Sequence, residues 1–351
     1  MGMTSRERVR RAITFTGPDR IPLSLGVPQA TIDKYGDRLR DLVSQFESDF
    51  GWTGWKEGAD SPQPIRHSDT EWTDEWGVRW RELQPGLMGI PVGYPLANWR
   101  ALESYRVPTM LHGDFAGVSE ALSPEHHQKW ASAYGGRLFE QMQWLRGADS
   151  LLMDLASPPR EAYQLRDMIV ESYLEAIERW VQYDIDAIGF EDDWGGQQSL
   201  IISPKRWREF FRPAYERLFA PVLAAGKRVF FHTDGIVWDI LPDFLDMGVA
   251  CMNLQYALLG LERLGGEFGG KLAFNLDLEG QHFMPNAAPE QVKEHVRTLV
   301  RALGSFDGGL MLDAWVMPEV PWENVAAMFA VFGELGCGSG RDAGREVPAG
   351  S

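Results

Sequence analysis

The chain has 351 residues, 44% hydrophobic and 24% charged, a composition typical of a globular protein with a large core. Its 34 Lys and Arg residues against 50 Asp and Glu residues give a net charge of −16, which disfavours nucleic acid and anionic membranes as partners. Two cysteines, Cys251 and Cys337, are too few for a disulfide framework or a four-thiolate zinc site. The Arg-rich first residues and the lack of a long apolar run predict a soluble protein of the reducing cytoplasm, with no membrane segment.

Helix and strand signals follow one another over the first 95 residues. Thr4 and Glu7 form a capping pattern that opens a helix, and prolines end this helix before the apolar run Ile21–Leu25. Between residues 52 and 95 Trp, Gly and Pro accumulate, and residues 70–83 alternate as a β-hairpin does, with turn residues at 84–86. We interpret residues 52–95 as a Trp-rich β-hairpin insertion or lid.

Short apolar runs then alternate with amphipathic helical stretches, which indicates βα units around a parallel sheet. The eight predicted strands are Ile21–Leu25, Phe115–Ala121, Leu151–Asp154, Ala187–Glu191, Arg228–His232, Ala250–Leu254, Leu272–Asn275 and Gly309–Leu312. The predicted helices between them include Pro159–Tyr183, Pro204–Ala225, Val237–Met247, Pro289–Leu303 and Trp322–Leu335. Eight such units predict an α/β fold, a (β/α)8 TIM barrel that forms a single domain over residues 1–335, followed by a disordered tail at 336–351. The rival fold, a doubly wound sheet, usually carries a Gly-rich phosphate turn that this sequence lacks.

Reacting groups of a TIM barrel lie at the carboxyl ends of its strands, so the polar residues that follow each apolar run are candidates for a site. The fourth predicted strand is followed by Glu191, Asp192 and Asp193, and then by Trp194 and Gln197. Three adjacent carboxylates are typical of a solvated loop, but at a barrel mouth they suit a metal, a cation or a carboxylic acid of raised pKa.

His232 and Asp234 follow the fifth predicted strand as a His-x-Asp pattern. The pair can provide two metal ligands, or an acid/base with its orienting partner, although a lone histidine at a strand end is often a structural residue. Asn275 and Asp277 end the seventh strand, and Asp313 with Trp315 the eighth. Asp277 and Asp313 could equally be N-caps of the segments that follow.

Arg137 follows two glycines and could bind a carboxylate ligand bidentately, or could simply be a surface arginine at a helix start. Four other histidines lack ligand spacing and are interpreted as surface or structural residues: His67, His126, His127 and His282. No Gly-x-Ser-x-Gly motif and no Cys beside a His supports acyl transfer by a Ser or Cys nucleophile.

Several separated motifs, in order, resemble the uroporphyrinogen decarboxylase superfamily between about Thr4 and Leu335. They include TDEWGVRW, GGRLFEQMQWLRG, FEDDWGGQ with SPKRWREFFRPAYERLF, and GKRVFFHTDG with ILPDFLDMGVACMNLQ. The resemblance implies a TIM barrel with its cleft at the carboxyl ends of the strands, and it suggests a homodimer. The family includes true uroporphyrinogen decarboxylases and zinc-dependent, corrinoid-linked methyltransferases.

Departures from the family patterns favour the methyltransferase side. True decarboxylases of the family have an Arg-Gln-Ala-Gly-Arg segment after the first strand, whereas this chain has LGVPQA at residues 25–30. The family's thiol-activating methyltransferases have a zinc site formed by a His-x-Cys motif and a second, distant Cys. This chain keeps His232 but has Asp234 and Asp313 near the cysteine positions, so its ligands are oxygens suited to a harder ion or a weaker zinc site.

The resemblance therefore implies a metal-assisted methyltransferase, or demethylase, that moves a methyl group from a small methyl ether or methylamine to a corrinoid protein. Its catalytic residues would be His232, Asp234 and Asp193, and its ligands for zinc or another divalent metal would be His232, Asp234, Glu191 and Asp313. Its substrate contacts would be Arg137, Trp194, Gln197, Trp76, Trp315 and Asn275. The corrinoid would sit on a separate partner, because the chain has no Asp-x-His-x-x-Gly segment. The insertion at Trp72–Trp80 would cover the mouth and exclude water.

Two alternatives remain open. A decarboxylase or lyase could act on a small non-porphyrin carboxylic acid held by Arg137 or Arg146, with His232 as proton donor. A non-catalytic ligand-binding member of the family is the other, motivated by the missing cysteines.

Overall fold

A computed structural model of the chain describes residues 2–51, 64–83, 89–109, 118, 122–123 and 128–337. Its strands are β1 (Leu23–Ser24), β2 (Ile65–Arg66), β3 (Glu71–Thr73), β4 (Arg79–Arg81), β5 (Ile90–Gly93), β6 (Ser132–Gly136), β7 (Ala187–Glu191), β8 (Arg228–Thr233), β9 (Val249–Leu254), β10 (Ala273–Asp277) and β11 (Leu310–Asp313). Seven of them form a parallel sheet in the order β1-β11-β10-β9-β8-β7-β6, and β2 to β5 form a separate antiparallel sheet. The fold is thus α/β and similar to a TIM barrel.

Helices cover the outside of the parallel sheet. They are α1 (Ser5–Thr14), α2 (Gln29–Tyr35), α3 (Asp37–Val43), α4 (Leu138–Arg146), α5 (Ala148–Ala156), α6 (Arg160–Trp180), α7 (Pro204–Phe210), α8 (Arg212–Ala224), α9 (Leu241–Asp246), α10 (Tyr256–Leu259), α11 (Leu261–Phe268), α12 (Phe283–Asn286), α13 (Pro289–Leu303) and α14 (Trp322–Glu334). A short 3-10 helix spans Trp99–Glu103. None of the described helices combines the length and the apolar character needed to cross a membrane.

The helix predictions hold with two changes. Thr4 caps α1 by accepting a hydrogen bond from the backbone N–H of Glu7, as predicted. The predicted helix Pro204–Ala225 is divided into α7 and α8 at Phe211, since Pro213 lacks an N–H and is favourable only in the first turn of a new helix. The predicted helix Val237–Met247 shortens to α9.

Six predicted strands are confirmed as β1 and β7 to β11. The strand predicted at Leu151–Asp154 is wrong, because these residues lie in α5, where Leu151 and Leu155 are buried one helical turn apart. The strand predicted at Phe115–Ala121 lies outside the described residues, apart from Val118.

Sequence reasoning missed β6, whose residues SAYGG lack the bulky apolar pattern of a buried strand. A Cβ on Gly135 would lie 2.5 Å from the Phe190 ring, and a Cβ on Gly136 would lie 2.5 Å from the Tyr173 ring. The glycines therefore let β7 and α6 approach the backbone of β6 closely.

An extended segment at residues 49–51 lies between the two outer strands of the parallel sheet. The N–H of Asp49 donates to the carbonyl of Leu23 in β1 at 2.8 Å. On the other side, Trp130 donates to the carbonyl of Asp49 at 2.9 Å, and Gly51 donates to that of Trp130 at 2.9 Å. The segment thus connects β1 to the residue that leads into β6.

The described part of the Trp-rich insertion packs on the flank of the barrel. The predicted hairpin is confirmed as β3 and β4, which place Trp72 opposite Trp80, while the predicted turn at 84–86 lies outside the described residues. Trp80 packs edge-on against Trp144 of α4, with ring centroids 5.1 Å apart. Trp76 is 6% exposed and packs against Tyr173 of α6. The antiparallel sheet is therefore held by α4 and α6.

The predicted disordered tail, residues 336–351, begins too early. Cys337 is fully buried, and its Sγ lies 3.4 Å from the carbonyl oxygen of Ile21 beside β1. Residues 338–351, the rest of the predicted tail, lie outside the described residues.

Candidate active site

A cavity of about 720 Å³ opens at the carboxyl ends of β6 to β11, where the TIM-barrel prediction places a site. Among the described residues it is lined by five acids and no Lys or Arg: Glu191, Asp234, Asp277, Glu279 and Asp313. Amides and aromatic rings complete the wall: Asn253, Gln255, Asn275, Gln281, Tyr134, Phe190, Phe230, Phe231, Tyr256 and Trp315. This composition favours a cation or a hydrogen-bond donor over an anion.

His232 and Asp234 line the cavity, and Asp193 lies next to them outside the lining. The Nε2 atom of His232 lies 3.6 Å from Oδ1 of Asp193 and 3.9 Å from Oδ1 of Asp234. One ligand atom from each of the three residues fits within a span of 4.8 Å. The structure thus brings together the three residues that the sequence analysis proposed as catalytic.

Asn253 fixes the orientation and the tautomer of His232. The side-chain NH2 of Asn253 donates to the carbonyl of Asn275 at 2.7 Å and to Asp277 Oδ1 at 3.1 Å. Its Oδ1 atom is therefore an acceptor, and it lies 2.6 Å from Nδ1 of His232. In the neutral imidazole the proton is consequently on Nδ1, and the lone pair of Nε2 faces the two carboxylates.

Two glycines bring the loops of this cluster together. A Cβ on Gly235 would lie 2.1 Å from backbone atoms of Gly195, and Gly235 has a φ of +79°. Gly195 in turn donates its N–H to the carbonyl of Asp234 at 2.9 Å, and Asp234 donates its N–H to Asp193 Oδ1 at 3.0 Å. The loop after β7 and the loop after β8 are thus in direct backbone contact.

Burial and neighbouring charges shift the pKa values of Asp234 and His232. Burial raises the pKa of the Asp234 carboxyl to about 6, even though His232 lowers it. Burial also lowers the pKa of His232, but the carboxylates of Asp234 and Asp193 more than offset this, so that its pKa is raised above the ordinary value. Asp234 and His232 therefore hold protons to higher pH than isolated groups do, and a metal ion would displace these protons.

A second polar group, formed by Asn275, Asp277 and Asp313, lines the cavity on β10 and β11. Asp277 and Asp313 are paired in register, and Asn275 lies two residues before Asp277 on the same face. Burial raises the pKa of Asp313 to about 6, and Asp277 adds to the shift. Within the described part of the chain, Asn275 Oδ1 and Asp313 Oδ1 are buried without a hydrogen-bond partner.

Two residues of the predicted metal set lie apart from the cluster. Glu191 lines the cavity but forms an ion pair with Nη2 of Arg137 at 2.6 Å. Asp313 belongs to the second polar group on β11. Asp193, which the sequence analysis assigned a catalytic role, takes their place beside His232 and Asp234.

The guanidinium of Arg137 is paired with other side chains of the protein. Besides Glu191, its Nε atom donates to the Tyr134 hydroxyl at 2.9 Å, and its guanidinium lies over the ring of Trp144. It does not line the cavity, so the structure gives no support for a direct contact between Arg137 and a substrate.

Asp192 has a structural role at the start of α4. It is fully buried and accepts hydrogen bonds from the backbone N–H groups of Leu138, Phe139 and Glu140 and from the Tyr215 hydroxyl. Burial raises its pKa to about 7, while these donors act to lower it. The carboxylate thus satisfies the otherwise free N–H groups of the first turn of α4.

Three predicted substrate contacts lie elsewhere. Trp194 is fully buried, stacks on Phe139 and donates its Nε1–H to Tyr215, since the chain turns it outward into the helix layer. Trp76 is buried against α6, and Gln197 is exposed in the loop after β7, away from the cavity wall. By contrast, Asn275 and Trp315 do line the cavity, and Trp315 is 49% exposed at its rim.

The remaining histidines fit the structural interpretation where the structure describes them. His67 is exposed and hydrogen-bonded to Thr73, and the side chain of His282 is 86% exposed. His126 and His127 lie outside the described residues. Asn253, Tyr134 and Tyr256 are cavity residues that sequence reasoning missed; only Asn253 left a signal, as a polar residue inside an apolar strand.

A model of the family described as uroporphyrinogen decarboxylase (URO-D) matches residues 138–335, more than half of the chain. The chain belongs to the URO-D family. The matched region contains α4, strands β7 to β11 and the cluster of Asp193, His232 and Asp234, so the family prediction from the sequence motifs is confirmed.

A solved structure supports this fold. A methyltransferase from Methanosarcina mazei is similar with a TM-score of 0.66 and 14% identity, and the match covers 95% of this chain and 99% of that chain. An endo-β-1,4-xylanase from Gloeophyllum trabeum is matched more loosely, with a TM-score of 0.44 and 10% identity over 92% of this chain and 98% of that one. Among curated protein sequences no significant match is found.

Proposed function

We propose that the protein is a metal-assisted methyltransferase of the demethylase type, which takes a methyl group from a small methyl ether or methylamine and delivers it to a corrinoid protein. The observation that carries the proposal is the cluster of Asp193, His232 and Asp234 beside a cavity without described Lys or Arg lining residues. Family membership and the fold shared with a methyltransferase from Methanosarcina mazei support it.

The donor set fits a divalent metal. Asn253 leaves the lone pair of His232 Nε2 directed toward two carboxylates, which gives one nitrogen and two oxygen ligands. Zinc accepts this set, and the absence of thiolates makes a harder ion equally suitable. When bound, the metal would act as a Lewis acid that withdraws electrons from the heteroatom carrying the methyl group.

The side chains of this protein would position the substrate and supply the proton. The bond between the methyl group and its oxygen or nitrogen breaks, and the electron pair stays on the heteroatom. A proton must be supplied when that heteroatom is an ether oxygen or the nitrogen of a neutral amine, whereas a protonated methylamine leaves as the neutral amine. Asp234, with a pKa of about 6, and His232 are the groups able to hold this proton at the cavity wall. A reduced corrinoid on the partner would supply the electron pair that accepts the methyl group.

The alternative of a decarboxylase for small carboxylic acids has less support. Arg137 is neutralised by Glu191, and Arg146 is bound to Asp154 at 2.8 Å and to the carbonyl of Leu96 at 3.1 Å. Neither arginine lines the cavity, whose described wall carries five acids that would repel a carboxylate. The same argument disfavours the acidic porphyrinogen of the true decarboxylases.

We also infer that the barrel is closed as (β/α)8, with residues 49–51 as the eighth strand between β1 and β6. The backbone hydrogen bonds of Asp49 to Leu23 and Trp130 support this closure. A closed barrel leaves its mouth at the strand carboxyl ends as the face on which a corrinoid protein would dock.

The test measures methyl transfer to free reduced cobalamin, which is monitored as the loss of absorption of the reduced form. The protein is loaded with zinc and offered a panel of methyl ethers and methylamines. We expect turnover with at least one compound, and at least a hundredfold loss in His232→Ala but not in His282→Ala, since His282 is exposed. A panel without turnover, or an active His232→Ala variant, would contradict the proposal.

A further inference from the structure

We propose that the cavity recognises its substrate through a hydrogen-bond donor, a hydroxyl or protonated amino group, which is accepted by Asn275 Oδ1 and Asp313 Oδ1. The substrate is then a small methylated compound that is neutral or cationic and carries an O–H or N–H group apart from its methylated atom. The inference rests on the proposed function, because it takes the ligand of the cavity to be the methylated substrate.

The two oxygen atoms are the first observation. Both are buried and lack a hydrogen-bond partner among the residues that the structure describes, although both side chains belong to the cavity wall. Native proteins leave few buried acceptors unpaired, since an unmet acceptor is destabilising. Each of these atoms therefore needs a donor, and both belong to side chains that line the cavity.

The neighbours of these atoms do not supply that donor. The NH2 group of Asn253 is already used by the Asn275 carbonyl and by Asp277 Oδ1. Ser24 and the backbone N–H groups of Gly26 and Trp315 are near enough to the Asp313 carboxyl to lower its pKa, yet its Oδ1 stays unpaired.

The two acceptors have no partner among the described residues of the free protein, and a substrate that enters the cavity can supply one when the Asn275 or Asp313 side chain turns toward it. A ligand without O–H or N–H groups would leave both acceptors buried and unpaired, whereas a ligand with a donor restores the hydrogen bonds. A carboxylate would bring further acceptors into a wall whose described residues already carry five acids and no Lys or Arg. The site therefore selects for a donor and against an anion.

The position of the two acceptors suits a bifunctional substrate. Asn275 and Asp313 lie on β10 and β11, while His232 lies on β8, with Asn253 of β9 hydrogen-bonded to His232 and to Asp277 of the second group. A compound with its methylated atom at His232 and its donor at Asn275 would have to reach across the intervening strand β9, so short probes test the donor contact alone.

The experiment measures binding of four matched probes by ligand-observed NMR, on the full-length protein with zinc and without corrinoid. The probes are 2-methoxyethanol, 2-methoxyethylamine, 1,2-dimethoxyethane and methoxyacetate. We expect at least one of the first two to bind about tenfold more tightly than 1,2-dimethoxyethane, and methoxyacetate to bind most weakly. The stronger of the first two identifies the donor as a hydroxyl or an ammonium group. Equal binding of all four, preference for methoxyacetate, or no binding at high millimolar concentration would overturn the inference.

Variants assign the effect to the two acceptors. Asn275→Leu and Asp313→Leu should each reduce the preference for a donor, while Asn275→Asp keeps an acceptor and should retain it. Asp307→Asn is the matched control, because Asp307 is exposed in the loop before β11, away from the cavity wall. A full preference in both Asn275→Leu and Asp313→Leu would overturn the assignment.

The outcome separates this inference from the proposed function. Binding is read without corrinoid, so failure of methyl transfer leaves the donor preference unchanged. Conversely, rapid methyl transfer from 1,2-dimethoxyethane would uphold the proposed function and overturn the inference about the donor.

Discussion

The Nδ1 atom of His232 lies 2.6 Å from the Oδ1 atom of Asn253, whose own NH2 group is fixed by two acceptors on β10. This relationship decides which ring nitrogen of His232 carries the proton and leaves Nε2 free toward Asp193 and Asp234. An amide on one strand thus sets the chemistry of an imidazole on the next.

Asn253→Leu should lower zinc affinity by roughly 10–100-fold, because His232 loses the acceptor that selects its tautomer and ring orientation. Asn253→Asp, which keeps an acceptor at the same place, should lose much less. The dissociation constant, measured by competition with a chelator, checks both variants. Equal affinity in Asn253→Leu and the unchanged protein would contradict the role of Asn253.

Removal of either ligand should abolish stoichiometric zinc binding. His232→Ala and Asp234→Ala each leave two of the three ligands of the cluster, too few to hold the ion tightly. Elemental analysis of the purified proteins gives the metal content per chain. Asp239→Ala, at an exposed aspartate five residues beyond Asp234, is the control and should bind zinc normally.

Metal affinity should fall with pH. Binding requires an ionised Asp234 and a neutral His232, and the pKa of Asp234 is about 6 while that of His232 is raised. Zinc affinity is therefore greatest above both pKa values and decreases as protons compete at lower pH, by up to about tenfold per pH unit for each proton displaced. Chelator competition between about pH 5 and pH 8 measures the slope. An affinity that stays constant over this range would argue against Asp234 and His232 as competing groups.

Asp313→Asn should stabilise the metal-free protein at neutral pH. The folded-state pKa of about 6 exceeds the ordinary value of 3.8, so the folded protein binds more protons than the unfolded chain between these values. The free energy of unfolding therefore falls as pH rises through this window, and the loss persists above it. Removing the charge should recover on the order of 1 kcal/mol at pH 7 and almost nothing at pH 4. Urea unfolding with a chelator present tests this, with Asp307→Asn as control.

Asp192→Ala should destabilise the fold by roughly 2–5 kcal/mol, because three backbone N–H groups of α4 and the Tyr215 hydroxyl lose their buried acceptor. Chemical denaturation measures the loss. Asp149→Ala, at an exposed acid in the first turn of α5, provides the matched control and should change stability by less than about 1 kcal/mol. A small effect of Asp192→Ala would show that α4 forms without this cap.

Much of the barrel could be predicted because its strands are apolar runs that end in polar residues. His232 and Asp234 were placed correctly for this reason: they directly follow the apolar strand β8, and such positions face the barrel mouth. The strand β6 could not be predicted in this way, since its glycines are selected by the rings of Phe190 and Tyr173, which only the folded structure brings near.

The different roles of the three adjacent acids could not be predicted from the sequence either. Glu191 lines the cavity, Asp192 is turned outward under α4, and Asp193 returns to His232. Alternation predicts that neighbours face opposite sides, but it does not say which side carries the unpaired helix N–H groups. Asn253 was missed because its role depends on the register between β8 and β9, which pairs it with His232.

The contact between Gly195 and Gly235 couples the two halves of the cluster mechanically. Asp193 and Asp234 stand on different loops, but these loops meet backbone to backbone with no room for a side chain between them. A displacement of one loop must therefore carry the other with it, so the distance between the two carboxylates is nearly constant. The spacing of these two candidate ligands is thus set by the backbone and does not depend on side-chain packing around them.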